Sequence, residues 1–152
     1  MGYTTEYSGT INIEPALNAQ EIAYINKFIE TRRMKRTKGP YYIGDNPYDM
    51  GGVDVLDINN PDPSQPGLWC HWQASEDGTY IAWDGGEKFY YGKEWMEYYM
   101  EHFIGDTPKA AKEYPFFTGH KCNGVIKAQG EDMDDRWKLI VKDNVVTTKG
   151  LE

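Results

Sequence analysis

The chain has 152 residues, and its 16 basic and 24 acidic side chains give a formal net charge of −8 at pH 7. This length is typical of one domain that buries its own hydrophobic core. The acidic charge argues against a broad surface for duplex nucleic acid, and no run approaches the roughly 18 apolar residues of a membrane-spanning helix. Aromatic residues make up 14% of the chain, which predicts a packed core with aromatic surface left over for contacts.

The N-terminus and the cysteines indicate a cellular location. Residues 1–7 lack the apolar run of a secretory signal, so we expect a cytoplasmic protein. Cys70 and Cys122 lie far apart in no metal-binding or redox spacing, and we expect two reduced thiols; a disulfide stays open as an alternative if their segments pair. We interpret residues 151–152 as the remnant of a tag.

The first predicted elements are a short strand and a helix. Polar and apolar residues alternate over 10–13, which predicts the strand. Asn18 followed by Glu21 is the pattern of a helix capping box, and apolar residues then recur at helical spacing. Basic residues end the helix, where they favour the negative end of its dipole.

A long segment of different composition follows, over residues 37–67. Glycine, proline, asparagine and aspartate dominate it, and only 53–58 is strand-like. Such a segment inside a small domain is uncommon. We predict an irregular insertion that serves as a binding loop or as a mobile cover.

A hairpin and a second helix are predicted next. Residues 68–72 and 80–83 each have the pattern of a strand, with a turn at Asp77-Gly78 between them. Aromatic residues recur every four positions over 93–104, which predicts a helix. Gly105 stands where a glycine that ends a helix is expected.

The last elements complete the predicted fold. Residues 124–129 and 137–142 predict a final hairpin, with 144–148 as an extension. The order strand, helix, two strands, helix, two strands is typical of an α+β domain with the ferredoxin-like split βαβ fold. We predict an antiparallel sheet of about five strands with two helices on one face, in a single domain over residues 1–150. Five rings are expected to interlock in its core: Trp72, Trp83, Trp95, Tyr99 and Phe103.

Several short stretches are distinctive: Arg32-Arg33-Met34, residues 67–72, residues 81–90 and Asp143-Asn144. Together they resemble a family of short uncharacterised proteins from bacteria and their phages, and the resemblance covers most of the chain. That family has no established activity. The resemblance implies a setting, in which a counter-defence or host-modulating role is expected, and it implies no functional residues.

Alternation along the predicted strands places one set of residues on the sheet face away from the helices. The set is aromatic and basic in an otherwise acidic protein, which suits a planar anionic ligand such as a nucleotide. The predicted ligand-binding residues are Trp69, His71, Tyr80, Lys127 and Lys138. We expect the ligand between this face and residues 37–67. The alternative is that this segment packs over the face, which makes Trp69 and Tyr80 part of the core.

Two further clusters are secondary candidates. Asp84 and Glu87 form a candidate acid–base pair, and the alternative is a turn with a solvated carboxylate. Arg32, Arg33 and Arg36 belong to a basic run that suits phosphate or an acidic partner. The alternative for this run is favourable charge at the end of a helix.

No motif marks an active site. The three histidines show no metal-ligand spacing, and the chain has no phosphate loop or serine nucleophile motif, so we expect neither a metal nor a cofactor nor a catalytic set. We predict a non-enzymatic binding or inhibitor protein for a small anionic ligand or a protein partner, with a homo-oligomer left open. One alternative is an acidic mimic of nucleic acid that inhibits its target. The other is a small nucleotide hydrolase that uses His71, Asp84 and Glu87.

Overall fold

The computed structural model describes residues 4–31, 33–36, 39–43, 55–86 and 89–150. Its strands are β1 (Glu6–Glu14), β2 (Met34–Arg36), β3 (Val55–Pro61), β4 (Trp72–Ala74), β5 (Tyr80–Trp83), β6 (Lys121–Gln129), β7 (Arg136–Lys142) and β8 (Val145–Gly150). Helix α1 spans Ala19–Phe28, and helix α2 spans Gly92–Tyr99. A π-helix over Met100–Ile104 continues α2, and a short 3-10 helix covers Lys109–Lys112.

One antiparallel sheet organises the molecule. Its six strands lie in the order β4-β5-β1-β6-β7-β8, while β2 and β3 form a separate pair. The longest ladder joins β1 and β6 over nine residues of each strand, from Glu6 opposite Gln129 to Glu14 opposite Lys121. By contrast, the ladder between β1 and the short β5 pairs only Ile11 with Ile81 and Asn12 with Tyr80. This difference in length leaves the first half of β1 without a paired strand on its β5 side.

Helix α1 begins at the capping box predicted from the sequence. The Asn18 side chain accepts a hydrogen bond from the Glu21 backbone N–H at 2.8 Å, and the Glu21 side chain accepts one from the Asn18 N–H at 2.9 Å. Two backbone N–H groups that have no partner within the helix are satisfied in this way. Tyr24, Ile25 and Phe28 form the buried side of the helix.

The core lies between the sheet and both helices, on one face of the sheet. Alternate strand residues such as Ile11, Ile81 and Ile126 are fully buried and belong to the same cluster as the helix residues Phe28 and Trp95. Three other predicted core rings, Trp72, Tyr99 and Phe103, are also fully buried. The remaining one, Trp83, is partly exposed. Trp83 is the last residue of the short β5, and it packs against the core while part of its side chain stays accessible.

The α+β class is confirmed, but the prediction of about five strands is wrong. The main sheet has six strands because the chain turns back at Asp143 and Asn144 to add β8. Both turn residues adopt positive φ, at 47° and 71°, as the tight turns of β-hairpins require. The Asn144 side chain secures the turn, since it accepts from the Cys122 N–H and donates to the His120 carbonyl.

One local prediction is wrong, since β4 begins only at Trp72 and residues 68–71 are not a strand. The prediction that Gly105 ends a helix is confirmed, and Gly105 adopts an extended conformation with φ of −78°. The need for glycine here is steric: a Cβ on Gly105 would lie 1.9 Å from the Met100 carbonyl oxygen.

The described residues of the long segment lie against the helices. The Pro40 carbonyl accepts hydrogen bonds from Gln65 and Arg33, and the Ile43 carbonyl accepts one from the Thr31 hydroxyl at the end of α1. Residues 39–43 therefore lie on the helix side of the sheet. The prediction that a ligand sits between this segment and the opposite sheet face is wrong for these residues, while residues 44–54 lie outside the described ranges.

Candidate functional site

The sheet face away from the helices, called the open face below, carries the alternate residues of each strand. Because side chains point to opposite faces in turn, burying Ile11 and Leu139 sends their neighbours to the open face. Most of the charged residues on this face are cations. They are Lys121, Lys127, Arg136, Lys138, Lys142 and Lys149, against the carboxylates of Glu6 and Glu14.

Three of these cations form a row across three strands, called the lysine row below. Lys127 on β6 lies directly opposite Lys138 on β7, and Lys138 lies directly opposite Lys149 on β8. Neighbouring strands are about 4.8 Å apart, so the three Cα atoms fall within about 10 Å. On the other side of Lys127 the row ends at Ser8 of β1. The sheet thus holds three like charges side by side.

The lysine row is not neutralised by neighbouring carboxylates. Lys121 pairs with Asp106 at 3.0 Å and Lys109 pairs with Glu101, but within the described ranges Lys127, Lys138 and Lys149 take part in no ion pair. Like charges directly opposite each other on a sheet destabilise it. An anion bound across the row would remove this repulsion.

A groove, called the end groove below, lies beside the row where β5 stops. Its volume is about 400 Å³, and Trp83 lines it together with Lys127 and Arg136. The remaining lining residues come from the neighbouring strands: Glu6, Tyr7, Ser8, Ala128 and Gln129. An indole and two cations thus meet in one concave place at the edge of the open face.

The structure brings together only two of the five predicted ligand-binding residues. Lys127 and Lys138 are cross-strand neighbours. Tyr80 also lies on the open face, but its row runs through Asn12, four residues along β1 from Ser8. That offset is about 13 Å along the strand. Tyr80 instead lines a separate shallow groove with residues 73–77 of the β4–β5 hairpin.

Trp69 and His71 do not belong to the open face, because the strand predicted to carry them starts after them. Residues of their segment contact other elements: the Arg33 N–H donates to the Leu68 carbonyl at 2.7 Å, and the Cys70 thiol bonds the hydroxyl of Tyr99 in α2. Trp69 is partly exposed in this segment. Because Trp69 and His71 precede β4, the strand alternation that grouped them with the two lysines does not apply to them.

His71 instead pairs with Asp84, one of the secondary candidates. Its Nδ1 lies 3.0 and 3.1 Å from the two carboxylate oxygens of Asp84, which also accepts a hydrogen bond from the Gly86 N–H at 2.7 Å. A carboxylate partner makes Nδ1 the proton-bearing nitrogen and leaves Nε2 as the basic one in the neutral ring. Both side chains are about one-fifth exposed. The pair thus has the geometry of an oriented general base.

Among the other secondary candidates, Arg33 is the one whose side chain the structure describes. Arg33 is buried, with its guanidinium 4.3 Å from the centre of the Phe28 ring and hydrogen-bonded to the Pro40 and Tyr42 carbonyls. Arg33 therefore has almost no surface accessible to phosphate or to an acidic partner. Arg32, Glu87 and the side chain of Arg36 lie outside the described part of the chain.

Histidines and cysteines supply no metal centre in the described residues, where no three such ligands or carboxylates cluster. His120 is buried against Glu21, with 2.8 Å between Nε2 and the carboxylate and 2.6 Å between Nδ1 and the Pro15 carbonyl. Cys70 and Cys122 are free and buried, and burial raises the pKa of each thiol to about 12. They are thus poor nucleophiles.

Sequence reasoning missed three residues of this surface: Lys149, Arg136 and Trp83. Thr148 lies opposite the buried Leu139, so its neighbour Lys149 points to the other face of the sheet. That inference requires knowing that β8 pairs with β7. Arg136 is the first residue of β7, one position before the predicted start. Trp83 was placed in the core, and no local pattern reveals that the neighbouring strand extends past it.

No family model, no curated protein and no solved structure matches the chain. Among the helices in the described ranges, none combines the length and apolar character needed to cross a membrane.

Proposed function

We propose that this protein is a non-enzymatic binding protein whose open face holds a small anionic ligand. The observation that carries the proposal is the lysine row, in which Lys127, Lys138 and Lys149 stand side by side without carboxylate partners in the described ranges. Converging ammonium groups are donors to phosphate and carboxylate oxygens. The protein as a whole carries a charge of −8, so its binding surface for an anion needs local positive charge.

The cost of the row supports a binding role over a purely structural one. A sheet selected only for stability gains by alternating charges across strands, because opposite-charge pairs stabilise and like-charge pairs destabilise. Three lysines in register have the opposite effect, because each neighbouring pair repels and destabilises the sheet. The same argument makes an acidic mimic of nucleic acid a weaker proposal, since the row of like charges in register on this sheet consists of cations.

The fold proposal is finer than the α+β class. We propose that β1, α1, β4, β5, α2 and β6 form a ferredoxin-like split βαβ core, to which β7 and β8 add two strands. Support comes from the strand order, in which β5 lies between β4 and β1 and β1 lies between β5 and β6, all antiparallel. That order is what two interlocked split βαβ units require.

Calorimetric titration with tripolyphosphate tests the binding proposal. We expect binding that weakens as sodium chloride rises, because the contacts are ionic. Lys138→Gln should weaken it roughly 10-fold or more, since a hydrogen bond to a charged group contributes about 1.5–3 kcal/mol. The matched control is Lys112→Gln, which removes one exposed lysine from the 3-10 helix. Equal affinities for the two variants, or no binding to the native protein, would reject the proposal.

A second candidate function is nucleotide hydrolysis, and the His71–Asp84 pair is the observation that favours it. In this reading His71 Nε2 removes a proton from water, and Asp84 holds the ring and stabilises its protonated form. Incubation with nucleotides and divalent cations, followed by chromatography, tests it. Turnover that is lost in His71→Asn and weakened in Asp84→Asn would favour the enzyme. Unchanged nucleotide in every reaction would exclude it.

A further inference from the structure

The end groove exists because two neighbouring strands differ in length. Strand β1 stays paired with β6 from Glu6 onward, but β5 pairs with it only at Ile11 and Asn12. Gly9 lets β1 lie close against β6 at this point, since its φ of 111° suits glycine and a Cβ there would lie 2.6 Å from the Val125 carbonyl oxygen. The start of β1 therefore projects past β5 and leaves a concave space at this end of the sheet.

The groove has an aromatic floor that is held in place. The Tyr7 ring packs edge-on against Trp72, Trp83 and Trp137, at centroid distances of 5.0 to 5.9 Å. The indole N–H of Trp83 donates to the Gly86 carbonyl at 3.1 Å. Trp83 thus keeps a fixed position while remaining partly exposed to the groove. A fixed indole with part of its surface accessible can stack against a planar ring.

The rim of the groove carries both hydrogen-bond donors and hydrogen-bond acceptors. Lys127 and Arg136 are exposed cations that form no ion pair within the described part of the chain. Glu6 provides a carboxylate acceptor, Gln129 an amide and Ser8 a hydroxyl. A purely inorganic anion would use the two cations and leave the indole and the carboxylate without a role. The set suits a ligand with a flat ring, an anionic group and polar hydrogens.

We propose that the end groove binds a mononucleotide, with its base at Trp83 and its phosphate between Lys127 and Arg136. This deepens the proposed function and rests on it, because Lys127 belongs to both the groove and the lysine row. Glu6 is positioned to accept hydrogen bonds from sugar hydroxyls or a base amine. The volume of about 400 Å³ lies within the range of small-molecule sites and is large enough for one nucleotide. Further phosphates of the same ligand extend along the row toward Lys138.

Affinity ratios between related ligands test the assignment of the base. AMP should bind roughly 5- to 100-fold more tightly than ribose 5-phosphate, which keeps the phosphate and lacks the base. Trp83→Leu should reduce that ratio to near one while leaving the affinity for ribose 5-phosphate unchanged. Arg136→Gln should weaken both ligands, and Lys112→Gln should weaken neither.

Trp83 packs against Tyr7, so its replacement requires a check on folding. Arg136 is exposed, and its variant keeps the inference testable if Trp83→Leu does not fold. Equal affinity for AMP and ribose 5-phosphate, with tripolyphosphate still dependent on Lys138, would overturn the nucleotide assignment and leave the proposed function standing. Failure of all three ligands to bind would overturn both.

Discussion

Replacing Lys138 with glutamate should stabilise the protein and abolish anion binding at the same time. Lys138 lies directly opposite Lys127 on one side and Lys149 on the other. Each opposite-charge pair across strands contributes about 0.2–1 kcal/mol and like-charge pairs destabilise, and the glutamate converts both repulsions into attractions. We expect a gain of about 1 kcal/mol in unfolding free energy. For a chain of this size that raises the melting temperature by about 2–4 °C.

Differential scanning calorimetry at low and at high salt measures this effect. The gain should shrink at 0.5 M sodium chloride, where exposed charges are screened over a few ångströms. Lys112→Glu is the matched control, because it makes the same change in net charge on the 3-10 helix away from the row. A Lys138→Glu protein that melts at or below the temperature of the control would refute the claim that the row is strained by its own charge.

Three further predictions concern the core and its pH dependence. Trp72→Ala should cost about 3–5 kcal/mol in urea unfolding, because Trp72 is fully buried; a loss under about 1 kcal/mol would contradict this packing. Gly105→Ala should cost about 1–3 kcal/mol in the same assay, since its Cβ meets the Met100 carbonyl at 1.9 Å, and an unchanged midpoint would count against that contact. Burial lowers the pKa of His120, but its hydrogen bonds to Glu21 and to a backbone carbonyl, with the charge of Glu21, outweigh burial and raise it. A pKa that is raised in the folded state stabilises the protein below a pH of about 6.5, and this stabilisation is lost as the pH rises through the raised pKa. The unfolding free energy measured across this range should therefore fall with rising pH in the native protein and not in Glu21→Gln.

Local patterns were sufficient where the structure depends on neighbouring residues. The capping box at Asn18 and Glu21 joins groups three positions apart, so the sequence contains the whole motif. Alternation also assigned Lys127 and Lys138 to the face opposite the core, because the side-chain period of a strand is two. Both predictions need no knowledge of which strands pair.

Predictions failed where distant contacts decide the local conformation. Residues 68–71 have the composition of a strand, yet the Leu68 carbonyl bonds the Arg33 N–H and Cys70 bonds Tyr99. These contacts hold residues 68 and 70 to other elements before β4 begins at Trp72. Trp69 and His71 consequently lie outside the strand that was predicted to carry them, and His71 is hydrogen-bonded to Asp84 across the hairpin. The residues near Leu68 and Cys70 in the sequence do not indicate that Arg33 and Tyr99 are their partners.

Strand order explains why Tyr80 and Lys127 do not meet. Both point away from the core, but β1 separates their strands, and the register of β1 places Tyr80 opposite Asn12 and Lys127 opposite Ser8. Alternation therefore predicts which face of the sheet a residue lies on, but not which residues are its neighbours on that face. The neighbours depend on pairing between strands that are far apart in sequence.

Net charge and local charge act at different distances in this protein. The charge of −8 repels an approaching anion, but at physiological ionic strength that field decays over about 8 Å. Within contact distance the nearest charges dominate, and on the open face these are Lys127, Lys138 and Lys149. An acidic composition therefore argues against a long polyanion, which must run past the limits of the row, and permits a ligand small enough to lie within it. The size of the row, about 10 Å across, sets the size of anion that the surface favours.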